Sequence, residues 1–321
     1  MRGFLTFFFA ALFGCIEAAE ATEDNRRFMG ERMPYAEFDR LPATRRQFAG
    51  GELIVAFAPG VLELRRERVL EWVDASARAV AAYYGSFPAA SARLLIVPSA
   101  GQGVSSGKAW NYRSPALRIS MGGQTTEEQL RHDWILVHEM VHLAFAPVAD
   151  RHNWIQEGLA SYIEAVARAQ VGQLTPEKVW GDLVAGLPKG LPQTGDRGLD
   201  HTPTWGRTYW GGALYCLLAD LEIRRRTNNR LGLQHAMRAI LSSGSKEAGL
   251  PLEQLLAIGD RAVGVPVLSG LYANMKDQPA PVDLDALWLR LGVRPVGKSV
   301  LLDESAPEAA LRRAITARPG T

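Results

Sequence analysis

Two histidines four residues apart, with a glutamate between them, constrain the fold of this chain more than any other sequence feature. The stretch His138-Glu139-Met140-Val141-His142 lies in an apolar segment that is predicted to be helical over about 125–146. Residues four apart on a helix lie about 40° apart around the axis and one turn along, so both imidazoles leave the same face. Buried ionisable groups need partners, and one metal ion between the two histidines would supply them.

A further carboxylate follows at a distance that suits a helical hairpin. Glu139 projects about 100° around the axis from the first histidine, where a base must stand to take a proton from a metal-bound water. The next predicted helix begins at Trp154 and places Glu157 in its first turn, after a linker of fourteen residues (143–156). Glu157 would then complete a His-His-Glu set whose fourth position stays open, as in a catalytic zinc site. A salt bridge from Glu157 to an arginine is the alternative, and Gly158 is expected to let the two helices approach closely.

The segments around these residues resemble a known family. The H-E-x-x-H stretch, followed by WIQEGLASY at residues 154–162, is similar to the gluzincin metallopeptidases, which have the thermolysin-like fold and include the large zinc aminopeptidases. Downstream, YWGGAL at residues 209–214 resembles the Y-x-K-G-x-x-L segment of that family. The similarity covers roughly residues 130–225.

The resemblance implies a role for each matching residue. It implies one zinc ion bound by His138, His142 and Glu157. It further implies that Glu139 is the general base and that the hydroxyl of Tyr209 donates to the oxyanion that forms during hydrolysis. The implied fold is an α+β, thermolysin-like zincin, with the zinc site between a mixed-sheet N-terminal lobe and a mainly helical lobe.

The sequence departs from the family pattern where the aminopeptidases bind a free amine. They use an acidic residue on a strand ahead of the zinc helix, but the corresponding residues 108–124 contain no Asp or Glu. An N-terminal ammonium therefore lacks its expected partner, which favours cleavage inside a chain or a substrate without a free amine. In addition, Gly211 replaces the lysine of Y-x-K-G, and the spacer before Glu157 is shorter than in the large aminopeptidases.

Strands precede helices along the chain, which argues for an α+β fold. Strands are predicted over 53–58, 93–98 and 108–121, and helices over 62–84, 125–146, 154–170 and 207–227, with weaker helices near 232–242, 252–259 and 303–317. Residues 172–204 are rich in Gly and Pro and are predicted to form a long surface connection. The predicted units are a signal peptide (1–21), an exposed lead-in (22–50), a sheet-containing N-terminal lobe (51–125), a helical zinc-binding lobe (126–230) and a C-terminal helical part of the same catalytic unit (231–321).

The N-terminus predicts export from the cytoplasm. Arg2 precedes the apolar run at residues 4–14, and an A-x-A pattern ends at Ala21, as in a secretory signal peptide. The alternative is a bacterial lipobox at residues 12–15, with a lipid anchor on Cys15. Both routes give an extracytoplasmic (periplasmic or secreted) protein, and neither leaves a membrane span in the mature chain.

Composition limits the partners and the metal ligands. Lys and Arg number 36 against 34 Asp and Glu, a net charge of +2, so no excess of positive charge indicates a nucleic acid partner. Of the two cysteines, Cys15 lies in the export segment and Cys216 in an apolar run, where a buried, inert thiol is expected. Any zinc must therefore be bound by His and Glu.

The sequence thus predicts an exported zinc metallopeptidase acting on a peptide or protein substrate. A non-peptidase hydrolase for an ester, epoxide or cell-wall amide, and a non-catalytic binding or assembly protein stabilised by zinc, are the alternatives. His132 and His152 are expected to be solvated or capping residues. Trp205 lies between His201 and Tyr209, where a substrate contact and a packed aromatic turn are both consistent with the sequence.

Overall fold

The secondary structure follows a strand-first, helix-later order. The computed structural model describes residues 27–111, 113–297 and 299–318. Its strands are β1 (Ala43–Phe48), β2 (Gly51–Phe57), β3 (Ser91–Ser99), β4 (Val104–Trp110), β5 (Ala116–Gly122), β6 (Val293–Val296) and β7 (Ser299–Leu302). Its helices are α1 (Tyr35–Phe38), α2 (Arg66–Tyr84), α3 (Glu127–His132), α4 (Ile135–His142), α5 (Asn153–Gln170), α6 (Pro176–Gly186), α7 (Gly212–Arg226), α8 (Leu233–Ser242), α9 (Ser245–Ala248), α10 (Leu252–Val263), α11 (Val267–Met275), α12 (Leu284–Leu291) and α13 (Ala309–Thr316). Short 3-10 turns lie at Asp150–His152 and Leu187–Gly190, and a π-helical segment lies at Gly206–Gly211. The α+β class predicted from the sequence is confirmed.

Five strands form one mixed sheet in the order β1-β2-β3-β5-β4. The central strands β2, β3 and β5 run parallel, while β1 and β4 pair antiparallel at the two edges. Central parallel strands are covered on both faces, which explains the unbroken apolar run of β3, where Leu94, Leu95 and Ile96 are all fully buried. The edge strand β4 is less buried and lies beside the helix that carries the histidines.

Residues 28–48, which lie in the predicted lead-in, pack along the sheet, although most of their side chains are exposed. Phe28, Met33 and Phe38 are buried against the outer face of the sheet, in a cluster with Leu95 and Val97, and β1 pairs with β2. These apolar residues are too far apart in sequence to show a helical or strand period. An edge strand such as β1 can also carry charged side chains on its open face, so its composition resembles that of a loop. Residues 1–26, which include the predicted signal peptide and Cys15, lie outside the described residues.

Helices α2 and α4 pack on the inner face of the sheet, and α5 packs against both of them. Their apolar side chains share one cluster with those of the strands, including Val73 of α2, Met140 of α4 and Leu159 of α5. The helix predicted over 125–146 is two helices, because Asp133 adopts an extended conformation between α3 and α4. Thr126 accepts a hydrogen bond from the backbone N–H of Gln129 and caps α3.

The C-terminal half contains elements that the sequence did not reveal. The predicted surface connection at 172–204 includes α6, whose Val179 and Trp180 are fully buried. Helices α11 and α12 and the β6–β7 hairpin were also missed, since short apolar runs without a clear period do not distinguish a helix from a strand. None of the helices within the described ranges is both long enough and apolar enough to cross a bilayer.

Candidate metal centre

Helix α4 brings the predicted metal ligands to one place. Its first turn is capped by the carboxylate of Asp133, whose oxygens accept hydrogen bonds from the backbone N–H groups of Ile135 (3.2 Å) and Leu136 (3.1 Å). His138 and His142 then lie one turn apart on the same face, with ring centroids 5.0 Å apart. The helix start is therefore fixed by a side chain rather than by backbone contacts alone.

Helix α5 completes the cluster with Glu157. Its Oε2 atom is 3.3 Å from Nε2 of His138 and 3.6 Å from Nε2 of His142. Ligand atoms of all three residues lie within 4.8 Å of one another, and among the described residues this is the one group that could hold a metal ion. Glu157 pairs with two histidines, so the alternative of a salt bridge to an arginine is not what the structure shows.

The geometry of the three residues fits zinc. Nitrogen and oxygen ligands about 2.0–2.1 Å from a tetrahedral ion are separated from each other by about 3.4 Å. The two nitrogen-to-oxygen distances, 3.3 and 3.6 Å, are close to that value. Two imidazoles and one carboxylate are also a donor set that zinc favours, and three protein ligands leave one position open.

Burial and mutual attraction shift the pKa of every residue in the cluster. Burial opposes the charged form of Glu157, but hydrogen bonds and charges from the two histidines outweigh it and lower the pKa of Glu157 to about 2. Burial lowers the pKa of His138. Burial acts in the same direction on His142, but its hydrogen bond and charge contact with Glu157 dominate and raise the pKa of His142. The cluster thus keeps the carboxylate of Glu157 ionised, which is the form that binds a metal ion.

Glu139 lies between the cluster and the edge of the sheet. Burial raises the pKa of Glu139 to about 7, and the negative charge of Glu157 adds to this. Its side chain rests on Gly107 of β4, where a Cβ atom would lie 2.4 Å from Cγ and 2.8 Å from Oε1 of Glu139. Only a residue without a side chain fits at this point of β4, so Gly107 determines where Glu139 stands.

A pair of glycines joins the helix of Glu157 to the segment of Tyr209. A Cβ atom on Gly158 of α5 would lie 2.4 Å from Cα of Gly212, the first residue of α7. Gly158 was expected to allow close approach of α4 and α5. That prediction is wrong, because Gly158 faces α7 and not α4. This contact brings the segment that precedes Gly212, which contains Tyr209, close to Glu157.

Tyr209 stands beside the histidines in the π-helical segment. Its ring stacks on that of His138 at a centroid distance of 6.3 Å and an interplanar angle of 20°. Burial raises the pKa of Tyr209, and the charges of Glu157 and Glu139 raise it further, so the hydroxyl remains protonated and able to donate. π-helical turns are rare and often occur at functional sites. Arg207, in the same segment, forms a buried ion pair with Asp196 at 2.8 Å.

A buried carboxylate that sequence reasoning missed holds the start of α5. Asp200 Oδ1 accepts hydrogen bonds from Trp154 Nε1 (2.7 Å) and His152 Nδ1 (3.0 Å), and its Oδ2 accepts from the hydroxyl of Tyr272 (3.0 Å). His152 is therefore a buried structural residue and not a solvated one. Asp200 lies in a Gly- and Pro-rich stretch that has no hydrophobic period, so nothing around it indicated a buried carboxylate. The sequence offered one hint, which was that two hydrogen-bond donors, His152 and Trp154, closely precede Glu157.

The remaining candidates lie away from the cluster. His132 is exposed at the end of α3. His201 is exposed and pairs with Asp277 at 2.8 Å. Cys216 is fully buried in α7, and burial raises the pKa of its thiol, in agreement with an inert role.

Comparison with known proteins identifies the fold. No protein-family model matches the sequence, and no curated protein matches it significantly. Among solved structures, an aminopeptidase N family protein from Idiomarina loihiensis aligns with a TM-score of 0.61 and 16% sequence identity, over 79% of this chain and 49% of that one. An M1 zinc metallopeptidase from Deinococcus radiodurans aligns less well, with a TM-score of 0.47 and 18% identity, over 76% of this chain and 54% of that one.

The first of these alignments shows a gluzincin-like fold for this chain, as the resemblance implied. At this identity the likeness extends to the fold alone. The chain spans about half the length of the Idiomarina protein.

Proposed function

We propose that this chain is a zinc-dependent peptidase that hydrolyses peptide bonds. The observation that carries the proposal is the partly buried Glu139 beside three donor atoms, from His138, His142 and Glu157, that lie within 4.8 Å of one another. A purely structural zinc site gains nothing from a neighbouring base and is closed by a fourth protein ligand. The fold shared with a protein described as belonging to the aminopeptidase N family supports the same conclusion.

The chemistry can be divided between the ion and the protein. A zinc ion held by His138, His142 and Glu157 would supply a Lewis acid, which would polarise a carbonyl group and make a water molecule more acidic. Glu139 would accept the proton of the attacking water and return it to the leaving amine, and burial, which raises its pKa, makes it a stronger base than an exposed carboxylate. The Tyr209 hydroxyl donates a hydrogen bond to the oxyanion as the carbonyl carbon becomes tetrahedral.

We further propose that cleavage occurs within a chain or at a blocked end. β4, which lies beside α4, spans Val104–Trp110 and contains no carboxylate. The charged groups that shift the pKa of Glu139 are His142, Glu157 and Lys108, and Lys108 itself pairs with the exposed Glu31 at 2.8 Å. Within the described residues, β4 therefore contributes a cation and no acid beside Glu139. A free N-terminal amine would enter this site without a counter-charge.

Metal analysis combined with a peptide-library digest tests the function. We expect about one zinc per chain, and products cut at internal bonds, read by mass spectrometry. Glu139→Gln should retain zinc and lose activity by a factor of at least about a hundred, because the base is removed while its shape is kept. Full activity in that variant would exclude the mechanism. Stoichiometric zinc without peptide cleavage would instead favour an ester, epoxide or cell-wall amide substrate, or a non-catalytic role.

We also propose that the protein is exported. The basis is the sequence of residues 1–21, with signal peptidase cleavage after Ala21 and lipidation of Cys15 as the second route. Sequencing the N-terminus of the mature protein distinguishes them, since cleavage after Ala21 yields a chain beginning at Thr22. An intact Met1 in the cell would contradict export.

A further inference from the structure

Two exposed tryptophans flank the metal-binding cluster. The chain has eight tryptophans, and six are buried or partly buried; the exceptions are Trp134 and Trp205, with 45% and 47% of their surface exposed. Each lies four residues before a residue of the site, Trp134 before His138 and Trp205 before Tyr209. Single exposed apolar side chains are common on protein surfaces, but aromatic side chains beside a site are typical of ligand contact, and these two both lie next to residues of the cluster.

The two tryptophans belong to one row of aromatic rings. Trp134 meets His138 edge-on at a centroid distance of 5.4 Å, and Trp205 lies 6.0 Å from Tyr209 with an interplanar angle of 30°. His138 and Tyr209 themselves stack at 6.3 Å. The order along the row is therefore tryptophan, metal ligand, proposed oxyanion donor, tryptophan. A bound substrate that reaches the two inner rings has an exposed indole on each side.

The surroundings of Trp205 disfavour a cationic ligand. Lys189 places its Nζ 5.8 Å from the centre of the Trp205 ring and 5.7 Å from that of Trp210. Within the described ranges, Lys189 has no carboxylate in ion-pair distance. An arriving lysine, arginine or free amine would thus meet a like charge over the ring it needs for a cation–π contact.

The surroundings of Trp134 disfavour a sugar. Carbohydrate sites combine a stacking ring with hydrogen-bonding groups that are free to meet hydroxyls. The neighbouring carboxylate of Asp133 is already used, since both of its oxygens accept hydrogen bonds from the first turn of α4. An uncharged aromatic side chain needs no such group and gains from edge-to-face or offset contact with an indole.

We propose that Trp134 and Trp205 form two aromatic subsites on either side of the reacting bond, and that the preferred substrates are peptides with phenylalanine-like side chains flanking that bond. This inference rests on the proposed peptidase function. It names the substrate class of the same site, and Trp134 and Trp205 act as specificity-determining residues.

The test compares two blocked hexapeptides, one with two central phenylalanines and one made of alanine alone. In the unaltered protein we expect kcat/KM to be at least about tenfold higher for the phenylalanine peptide, the size of one or two aromatic contacts with the burial they bring. Trp134→Ala and Trp205→Ala should each reduce that preference several-fold. Trp134→Phe and Trp205→Phe should retain most of it. Leu289→Ala, which alters a residue of α12 that is 76% exposed, is the matched surface control and should leave the ratio unchanged.

A binding measurement separates specificity from damage to the site. Calorimetry with the zinc-loaded Glu139→Gln variant should show tighter binding of the phenylalanine peptide than of the alanine peptide, and the difference should shrink when either tryptophan is also replaced by alanine. Zinc content and melting temperature of each variant confirm that the metal centre is intact. Equal binding of both peptides, or tighter binding of a chito-oligosaccharide, would overturn the inference. If no peptide is cleaved at all, the proposed function fails, and this outcome is distinct from cleavage without an aromatic preference.

Discussion

The position of Glu139 depends on Gly107, because Gly107 has no side chain that would occupy the space where Glu139 lies. The Cβ of any other residue there would lie 2.4 Å from Cγ and 2.8 Å from Oε1 of Glu139. Glu139 can relieve the overlap by rotating, because it is a flexible side chain and not backbone. The position of the proposed base is therefore easier to disturb than the fold around it.

We expect Gly107→Ala to lower kcat at least about tenfold, because displacing a general base by an ångström loses much of its contribution. The zinc content should change little, because no metal ligand is among the atoms nearest to the new methyl group. That methyl group would also lie 2.8 Å from Cγ2 of Ile135 in α4, so we expect a small decrease in the melting temperature as well. The matched control is Gly181→Ala in α6, where an added Cβ meets no atom within 4 Å. An unchanged kcat in Gly107→Ala would mean that Glu139 does not need this position.

Local spacing in the sequence predicted which residues of the site share a helical face and which can meet across a hairpin. The spacing of His138 and His142 defines one helical face, and Glu157 follows at a distance that a hairpin can close. It could not show that Gly158 faces Gly212, or that Gly107 faces Glu139, because both contacts join residues about fifty and thirty positions apart. Such contacts depend on packing between elements and leave no local pattern.

The start of helix α5 is held by Asp200, which bridges it to α11. Its carboxylate accepts from Trp154 and His152 before Glu157, and from Tyr272 on α11. All of these groups are buried, so Trp154 and His152 would lose this partner if the carboxylate were removed, and Tyr272 would keep only its longer hydrogen bond to Glu253 (3.4 Å). The network links the helix of a metal ligand to the C-terminal half of the chain.

We expect Asp200→Ala to lower the free energy of unfolding by about 2–4 kcal/mol, since two buried donors are left unpaired. Zinc affinity should also fall, because the first turns of α5 lose their anchor. Urea denaturation and competition with a chelator measure the two effects. Asp277→Ala serves as the control: this exposed carboxylate is paired with His201, and its removal should leave the free energy of unfolding nearly unchanged. Equal losses in both variants would refute the anchoring role of Asp200.

Elements with a strong period were predicted, and those that depend on packing were not. The helix at α2 and the strands β2 and β3 follow from apolar patterns that the chain shows locally. The break between α3 and α4 was hidden because Asp133 and Trp134 interrupt no apolar period. β1 was hidden because an edge strand of the sheet can be charged.

The C-terminal helix α13 is held against the rest of the helical lobe by ion pairs at its N-terminal end. Glu308, which precedes it, accepts two hydrogen bonds of 2.8 Å from Arg225 of α7 and lies 3.7 Å from Arg290 of α12. The hydrogen bonds from Arg225 lower the pKa of Glu308 below its ordinary value. This carboxylate thus connects the start of α13 to α7 and α12, in addition to the hydrogen bonds that Arg312 of α13 donates to the carbonyl groups of Leu291 and Gly292.

This tether predicts a pH dependence of stability. A carboxyl whose pKa is lower in the folded state stabilises the protein above its unfolded pKa of about 4.3, and this contribution is lost as the pH falls through the folded value. Glu308→Gln should therefore lower the free energy of unfolding by about 1 kcal/mol at pH 7 and by much less near pH 3, as measured by urea denaturation. Glu63→Gln, at an exposed carboxyl with no ion pair among the described residues, should show no such difference. A Glu308→Gln deficit that persists undiminished at pH 3 would contradict the tether.

The contact of Gly158 with Gly212 has a consequence for the molecule without its metal. With no side chain between them to compress or rotate, α5 and α7 cross at backbone distance, so Glu157 and the segment of Tyr209 belong to one rigid unit. Loss of the ion would remove its bonds to the three ligands but would not separate α5 from the segment of Tyr209. The empty centre would keep its shape, and the ion could return without the ordering cost that accompanies metal capture by an unfolded loop.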